Sequence, residues 1–413
     1  MCSSSCKGCG VKHKPLADKK ALRRREAWWK KAVLWVGMIT LLGAYVYGKI
    51  SNRPDYQSVF NEYFPASDIK QISHELFVIR QPDTLSAYFK ISSNNGYGGP
   101  LEVGVAIKPD TTIGQVIVIS EKETQSFFNK LVNYDFFEQF EGLPLQNKLQ
   151  TGEDIDGVSS ATVSSVAFTH AIREAAHQFA ESKYGLTGLS PQPRLSFGFS
   201  EISILALLTW SIALYFKKNK KLLYALHLVA LVLIGFYLNL SISITNFGSF
   251  LQGYFPNVYD YLVWYILVIG VLIGALVFGK NVYCYRICPF YSVQWLANRI
   301  SGINLDLTTK MGTAAKYMAG VLLWGSLLVG FLEATPSAGS YEPFATLFSF
   351  DGEGVQWFIL PAVFFSSFFI KEVFCRYYCP VGSFLRFIIV KVRKPIIKQV
   401  RLWQNPKVKQ AIS

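Results

Sequence analysis

Asp156-Gly157-Val158-Ser159-Ser160-Ala161-Thr162-Val163-Ser164-Ser165 is a run of small and hydroxyl residues that leads into an amphipathic segment. In that segment Val166, Phe168, Ile172, Ala175, Ala176 and Phe179 recur near helical spacing. The pattern predicts a helix over 163–184, with Ser164 or Ser165 as its N-cap. Thr162 then stands just before a helix N-terminus, where free backbone N–H groups and the helix dipole favour a phosphate. A Ser-rich capped turn explains these residues equally well.

Outward from this stretch, residues 50–196 have mixed polarity and read as one α+β domain. Leu101 to Ile107 and Gly114 to Ile119 read as strands, and Gln125 to Val132 as a helix. Gly96-Tyr97-Gly98-Gly99-Pro100 precedes the first strand, and its glycines permit close backbone approach to a ligand. Glu121-Lys122-Glu123-Thr124 follows the second strand. His170 and His177, seven apart on the long helix, read as part of a solvated face. Pro191 and Pro193 mark a linker.

The chain has 413 residues, 51% hydrophobic and only 16% charged, with a net charge of +14. Long apolar runs with few charges indicate an integral membrane protein, not a soluble basic one. The Lys and Arg residues cluster beside those runs, which points to membrane topology and away from nucleic acid. Ala32 to Gly48 reads as an uncleaved signal anchor after a basic tail, 1–31. Five further runs follow: Phe199–Phe216, Leu222–Ile244, Tyr261–Phe278, Ala314–Leu332 and Val355–Ile370. The connections 246–259 and 334–354 contain no Lys or Arg, whereas 217–221, 280–316 and the tail after Lys371 are rich in them. Positive-inside counting predicts six transmembrane helices in the cell's inner membrane. Both termini are then cytoplasmic and domain 50–196 extracytoplasmic. The five-helix membrane part is 197–371, and 372–413 is a cytoplasmic segment with a basic tail.

The seven cysteines fall in three groups. Tyr283-Cys284-Tyr285-Arg286-Ile287-Cys288-Pro289-Phe290 and Phe374-Cys375-Arg376-Tyr377-Tyr378-Cys379-Pro380-Val381 each follow an apolar run, a weak parallel repeat. Cys-x-x-x-Cys-Pro is the back half of the bacterial ferredoxin run, so the pairs are candidate metal ligands. Four thiolates suit one iron–sulfur cluster if the two hairpins meet. Zinc suits Cys₄ as well, and redox or inert thiols at helix ends remain open. Positive-inside counting puts both pairs at the cytoplasmic face, with the segments after them lying along the inner interface. Cys2, Cys6 and Cys9 read as either cluster ligands or incidental residues of a tail. His227 is the one histidine within a span, which argues against bis-His haem; it reads as a hydrogen-bonding group between helices, with a quinone or proton role as the alternative.

The opening stretch resembles the Asp-x-x-Ser/Thr-Gly-Ala-Thr signature of the FMN-binding domain in the sodium-pumping NADH:quinone oxidoreductase and Rnf families. There a flavin transferase joins FMN to the last Thr through a phosphoester. Asp156, Ser159, Ala161 and Thr162 match, and Ser160 stands where Gly is usual. The resemblance implies covalent FMN on Thr162, with Gly98, Gly99, Glu123 and Thr124 also at the flavin. From residue 30 to 390 the chain is similar to membrane flavoproteins of the nitrous-oxide-reductase regulator type. It is also similar to the shorter membrane C subunit encoded beside reductive dehalogenases, which it resembles more because no cysteines follow Cys379.

These resemblances imply an electron-transfer flavoprotein without substrate chemistry of its own. It would pass electrons between a cytoplasmic-face iron–sulfur centre, expected to be 4Fe-4S, and FMN outside. The implied partners are the lipid bilayer, a flavin transferase, the quinone pool, and an exported reductase or its maturation machinery. Because the hydrocarbon core is about 30 Å thick, a quinone, a second cofactor or deep docking of the outer domain must bridge the two sites. The alternatives are a redox-sensing regulatory or maturation factor, and a membrane scaffold or transporter with structural zinc.

Overall fold

The computed structural model describes residues 16–397 except 66, 82, 83, 97, 160, 192–194, 196, 306, 307, 351 and 353. Cys2, Cys6, Cys9, Tyr97 and Ser160 lie outside the described residues.

Helix α1 (Leu16–Ser51) is followed by the short α2 (Tyr56–Tyr63), whose N-terminus Asp55 caps through the Gln57 amide. Five antiparallel strands form one meander in the order β1-β2-β3-β4-β5. They are β1 (Asp68–Ser73), β2 (Leu76–Gln81), β3 (Thr84–Asn95), β4 (Pro100–Ile107) and β5 (Ile113–Glu121). Then come α3 (Gln125–Asn133) and α4 (Thr162–Tyr184), which ends at Gly185 in the left-handed conformation. Period-two alternation divides the sheet between two cores. Leu101, Val103, Val105 and Ile107 of β4 pack with Phe168, Ile172, Ala175 and Phe179 of α4. Ala106 faces the other way, with Phe60 of α2, Phe77 and Phe89. A side chain at Gly104 would collide with Phe89, its Cβ falling 1.9 Å from the ring, so glycine lets that ring lie flat on the strand. Each buried Phe or Ile of α4 contributes roughly 1.5–3 kcal/mol.

The α4 helix begins two residues before the predicted Ser164 cap. Ala161 occupies the N-cap position without a side-chain cap bond. Both serines are drawn into buried contacts instead: Ser165 Oγ accepts from the Val158 amide at 3.0 Å and Ser164 Oγ donates to Glu123 at 2.8 Å. The expected solvated histidine face is also revised. His177 is buried, with its ring nitrogens 2.9 Å from Asn147 O and from Ser190 Oγ, and His170 lies 3.3 Å from Asp260.

The helical part contains α5 (Phe199–Phe216), α6 (Lys220–Ala230, continuing as π-helix Leu231–Tyr237), α7 (Ile244–Gln252) and α8 (Leu262–Ile273, with π-helix Gly274–Phe278). It continues with α9 (Pro289–Ser301), α10 (Thr309–Leu332), α11 (Phe344–Phe348), α12 (Gln356–Phe369), α13 (Val373–Tyr377) and α14 (Pro380–Phe387, with π-helix Ile388–Arg393). Among the described residues, four segments are long and apolar enough to cross a membrane: Lys31–Tyr63, Phe199–Phe216, Lys220–Tyr237 and Met311–Leu332. Leu262–Phe278 and Gln356–Phe369 are shorter apolar helices. Outward-facing Trp35, Val36, Ile39 and Leu42 give α1 an apolar exterior suited to lipid. The helix runs beside α10, with Trp324 Nε1 donating to Gly37 O and Asn52 donating to Leu332 O.

The apolar run Leu222–Ile244 is not one helix. It breaks after Tyr237, with Asn239 at φ +47°, and Ser243 and Asn246 form a reciprocal cap that starts α7. The segments after the cysteine motifs form helices that pack on the bundle. α9 packs against α6 and α12, and α14 against α10.

The sheet domain sits on the two charge-poor connections. Asn95 donates to Phe255 O, Tyr261 OH to Val163 O at 2.7 Å, and Lys122 Nζ to Glu333 O. The basic segments gather at the other end, where Arg393 donates to Leu276 O and Val277 O.

Candidate functional site

Two sites emerge. The first is built by three loops of the sheet domain. Glu123 is buried, and its carboxylate accepts from Ser164 Oγ at 2.8 Å and from the Gly98 amide at 3.4 Å. A Cβ on Gly98 would fall 2.7 Å from Lys122 O and 2.8 Å from the Thr124 amide, so only glycine lets the 96–99 loop lie against 122–124. The close approach expected of these glycines is thus made to the neighbouring loop.

Thr124 precedes α3 as its N-cap residue. Thr162 is the first residue of α4 and is exposed. Its own amide and those of Val163 and Ser164 precede the first closure onto Ala161, made by the Ser165 amide at 2.9 Å. Asp156 and Ser159 are exposed on the turn before it, and Asp156 is held through backbone bonds to the Gln139 side chain. An exposed hydroxyl at a helix N-terminus, beside a buried carboxylate and a glycine loop, fits a phosphate-bearing flavin. Ser164 escaped the sequence reading, because as a supposed cap it gave no sign of a partner forty residues earlier.

The second site joins the two cysteine motifs. Cys284, Cys288, Cys375 and Cys379 are free, buried, and line one small cavity with Ile242, Tyr283, Phe344, Val381 and Gly382. In each motif the second cysteine is the N-cap of a helix whose first residue is proline: Cys288 before α9 and Cys379 before α14. The Cys288 amide donates to Tyr283 O and that of Cys379 to Phe374 O, folding each Cys-x-x-x-Cys into a tight turn.

Polar groups then reach the sulfurs. Gln294 Nε2 donates to Cys375 Sγ at 3.0 Å, its Oε1 accepts from the Phe374 amide, and the Gly382 amide donates to Cys379 Sγ at 3.4 Å. Asn281 Oδ1 accepts from the Cys284 amide at 2.9 Å. Among the described residues no three His, Cys, Asp or Glu side chains converge tightly enough for a single metal ion. Four thiols around one apolar cavity, with N–H groups aimed at sulfur, fit a larger cluster. Gln294 and Asn281 carried no sequence signal, since neither belongs to the Cys-x-x-x-Cys-Pro pattern.

His227 is buried against Tyr291 and Trp295, with Nε2 3.3 Å from Tyr285 O. It links α6 to the first cysteine turn, as a hydrogen-bonding group between helices would.

Residues 96–177 match the FMN-binding domain family, and residues 262–308 and 357–398 match the 4Fe-4S binding domain family. The chain is similar to the regulatory protein NosR of Stutzerimonas stutzeri, 29% identical over 178 residues, which is 40% of this chain and 24% of that protein. It is similar to the NosR of Pseudomonas aeruginosa, 28% identical over 170 residues, covering 38% and 24%. Protein NirI of Paracoccus denitrificans is 26% identical over 170 residues, covering 37% and 24%. The matched region therefore spans about a quarter of the length of these curated relatives. The chain thus carries a match to an FMN-binding domain, a match to a 4Fe-4S binding domain and apolar helices long enough to cross a bilayer, and it is similar to membrane flavoproteins of the NosR/NirI type.

Proposed function

We propose that this protein transfers electrons between an iron–sulfur cluster held by Cys284, Cys288, Cys375 and Cys379 and FMN joined to Thr162 by a phosphoester. The observation that carries the reading is the convergence of two cysteine pairs, about ninety residues apart, on one cavity in a chain that also matches an FMN-binding domain. When bound, the flavin accepts and donates electrons singly or in pairs, and the cluster singly.

The protein's own residues supply placement. Thr162 offers its hydroxyl to a flavin transferase. The Gly98 and Glu123 loops wall the flavin site, with Thr124, Ser159 and Ala161 beside it and Asp156 on the entry turn. Gln294 and the Gly382 amide direct N–H groups at sulfur, and Ile242, Phe344 and Val381 keep water from it. The sheet domain would be extracytoplasmic and the basic end of the bundle cytoplasmic, since both connections that carry the domain lack Lys and Arg. Electrons would enter from the quinone pool and leave through the flavin to an exported reductase or its maturation machinery. The similarity to NosR, a regulatory protein, favours one second reading, in which the same two centres sense redox state.

The test is fluorescence of the denatured protein on a gel after co-expression with a flavin transferase. Covalent flavin survives denaturation, so wild type gives a bright band and Thr162→Val a dark one. A bright Thr162→Val band removes the attachment assignment. The two readings separate in a reduction assay with menaquinol and the native reductase: an electron carrier turns over with its partner, whereas a sensor is reduced once and stops.

A further inference from the structure

The flavin-site loops and the thiol cavity are attached to the same short segment, 333–348. At one end, Lys122 Nζ donates to Glu333 O and Ser337 Oγ donates to Glu123 O, both at 3.4 Å. Pro336 Cδ lies 3.2 Å from where a Cβ on Gly99 would stand. At the other end, Tyr341 OH donates to the carbonyl of Tyr378, the residue before Cys379. Buried Glu342 accepts from the Ile244 amide at 2.8 Å. Phe344 lines the cavity and packs on Phe290 and Phe374, beside Cys288 and Cys375. Seven residues separate Ser337 from Phe344, so these contacts cannot be more than roughly 25 Å apart.

Helix α7 gives a second, shorter tether. Pro336 Cβ lies 3.5 Å from a Cβ on Gly248, and Ile242, six residues earlier, lines the cavity and donates its amide to Tyr283 OH at 2.8 Å. Four helical residues and two extended ones span at most roughly 13 Å. Toward the basic end the separation is greater. Both α9 and α14 with its π extension begin at a cavity cysteine, and each runs roughly 20 Å. α9 ends where Ser301 donates to Phe368 O and the α14 extension at the Arg393 contacts beside Lys280.

We infer that the flavin site and the thiol cavity lie on the same side of the bundle, with segment 333–348 as the strut that fixes their separation, so that transfer between them does not cross the hydrocarbon core. This rests on the two-cofactor reading. The electron gained by one centre is the electron lost by the other, so the step needs no co-reactant. The strut replaces the bridge across the bilayer that the sequence demanded, and half-helices α9 and α14 become the stretch that insulates the cavity from the basic end.

The experiment is pulsed dipolar spectroscopy on the full chain with Cys2, Cys6 and Cys9 changed to Ser. A nitroxide is placed at Thr162→Cys, or at Ser159→Cys on the exposed turn as a second site, and the iron–sulfur centre is reduced. The expected label-to-cluster distance is below the roughly 30 Å of the hydrocarbon core. A longer distance at both sites, in protein whose iron is present, overturns the inference while leaving the two-cofactor reading in place. Absence of iron from the same sample overturns that reading, and the inference with it.

Discussion

The two cysteine turns share a backbone and differ in what surrounds them. Cys288 and Cys379 have nearly identical dihedrals, φ −66° and ψ 120° against φ −64° and ψ 118°, and each is followed by proline at a helix start. Around that common frame the first turn is polar. Tyr283, just before Cys284, uses its hydroxyl to accept the Ile242 amide, and Asn281 caps the turn. Gln294, six residues after Cys288, reaches across to the other motif. The corresponding residues of the second turn are Phe374 and Leu385, both buried and apolar. The comparison teaches that the repeat fixes where four sulfurs go, whereas the unlike neighbours tune and hold them. The first half supplies the polar side chains, and the second supplies apolar packing and the Gly382 amide at Cys379 Sγ.

Substitutions can break this division of labour. The largest expected stability loss is at Leu385→Ala, which leaves a cavity in the second half and costs about 2–5 kcal/mol. Thermal unfolding in detergent reads that loss, and the reduction potential of the centre should stay unchanged. Gln294→Leu should do the reverse. It costs less, about 1–3 kcal/mol, because the Phe374 amide loses its acceptor. It also lowers the reduction potential, since an N–H group at sulfur favours the more negative reduced state. An unchanged potential would make Gln294 a packing residue like Leu385. Tyr283→Phe, which copies the second motif into the first, should have the smallest effect, about 1–2 kcal/mol from the stranded Ile242 amide. Its absorbance spectrum should match that of wild type.

The sequence was most legible where one face of an element is buried and the other is not. Strands β4 and β5 and helices α3 and α4 follow their apolar periodicity to within a residue or two. Strand β1 was illegible because it is exposed on both faces, so Asp68–Ser73 carries no alternation to read. The break inside Leu222–Ile244 was hidden because Leu238, Leu240 and Ile242 keep the run apolar through a non-helical turn. Its one signal was the polar series Asn239, Ser241, Ser243 and Asn246.

The site divided in the same way. The cysteines stood out through their spacing, which metal chemistry demands, and Thr162 through its resemblance to a flavin-attachment signature. Ser164, Gln294 and the 333–348 strut were not, because their roles come from partners distant in the chain. Positive-inside counting grouped the two charge-poor connections, and the sheet domain contacts both. It said nothing of depth, because α9 and α14 begin inside the bundle where no charge marks the boundary.

The central claim, two redox cofactors on one chain, is tested most directly by measuring iron, zinc and flavin in the same anaerobically purified protein after co-expression with a flavin transferase. The account predicts roughly four irons and one covalently held flavin per chain, with negligible zinc. Stoichiometric zinc without iron, or iron without flavin, would contradict it.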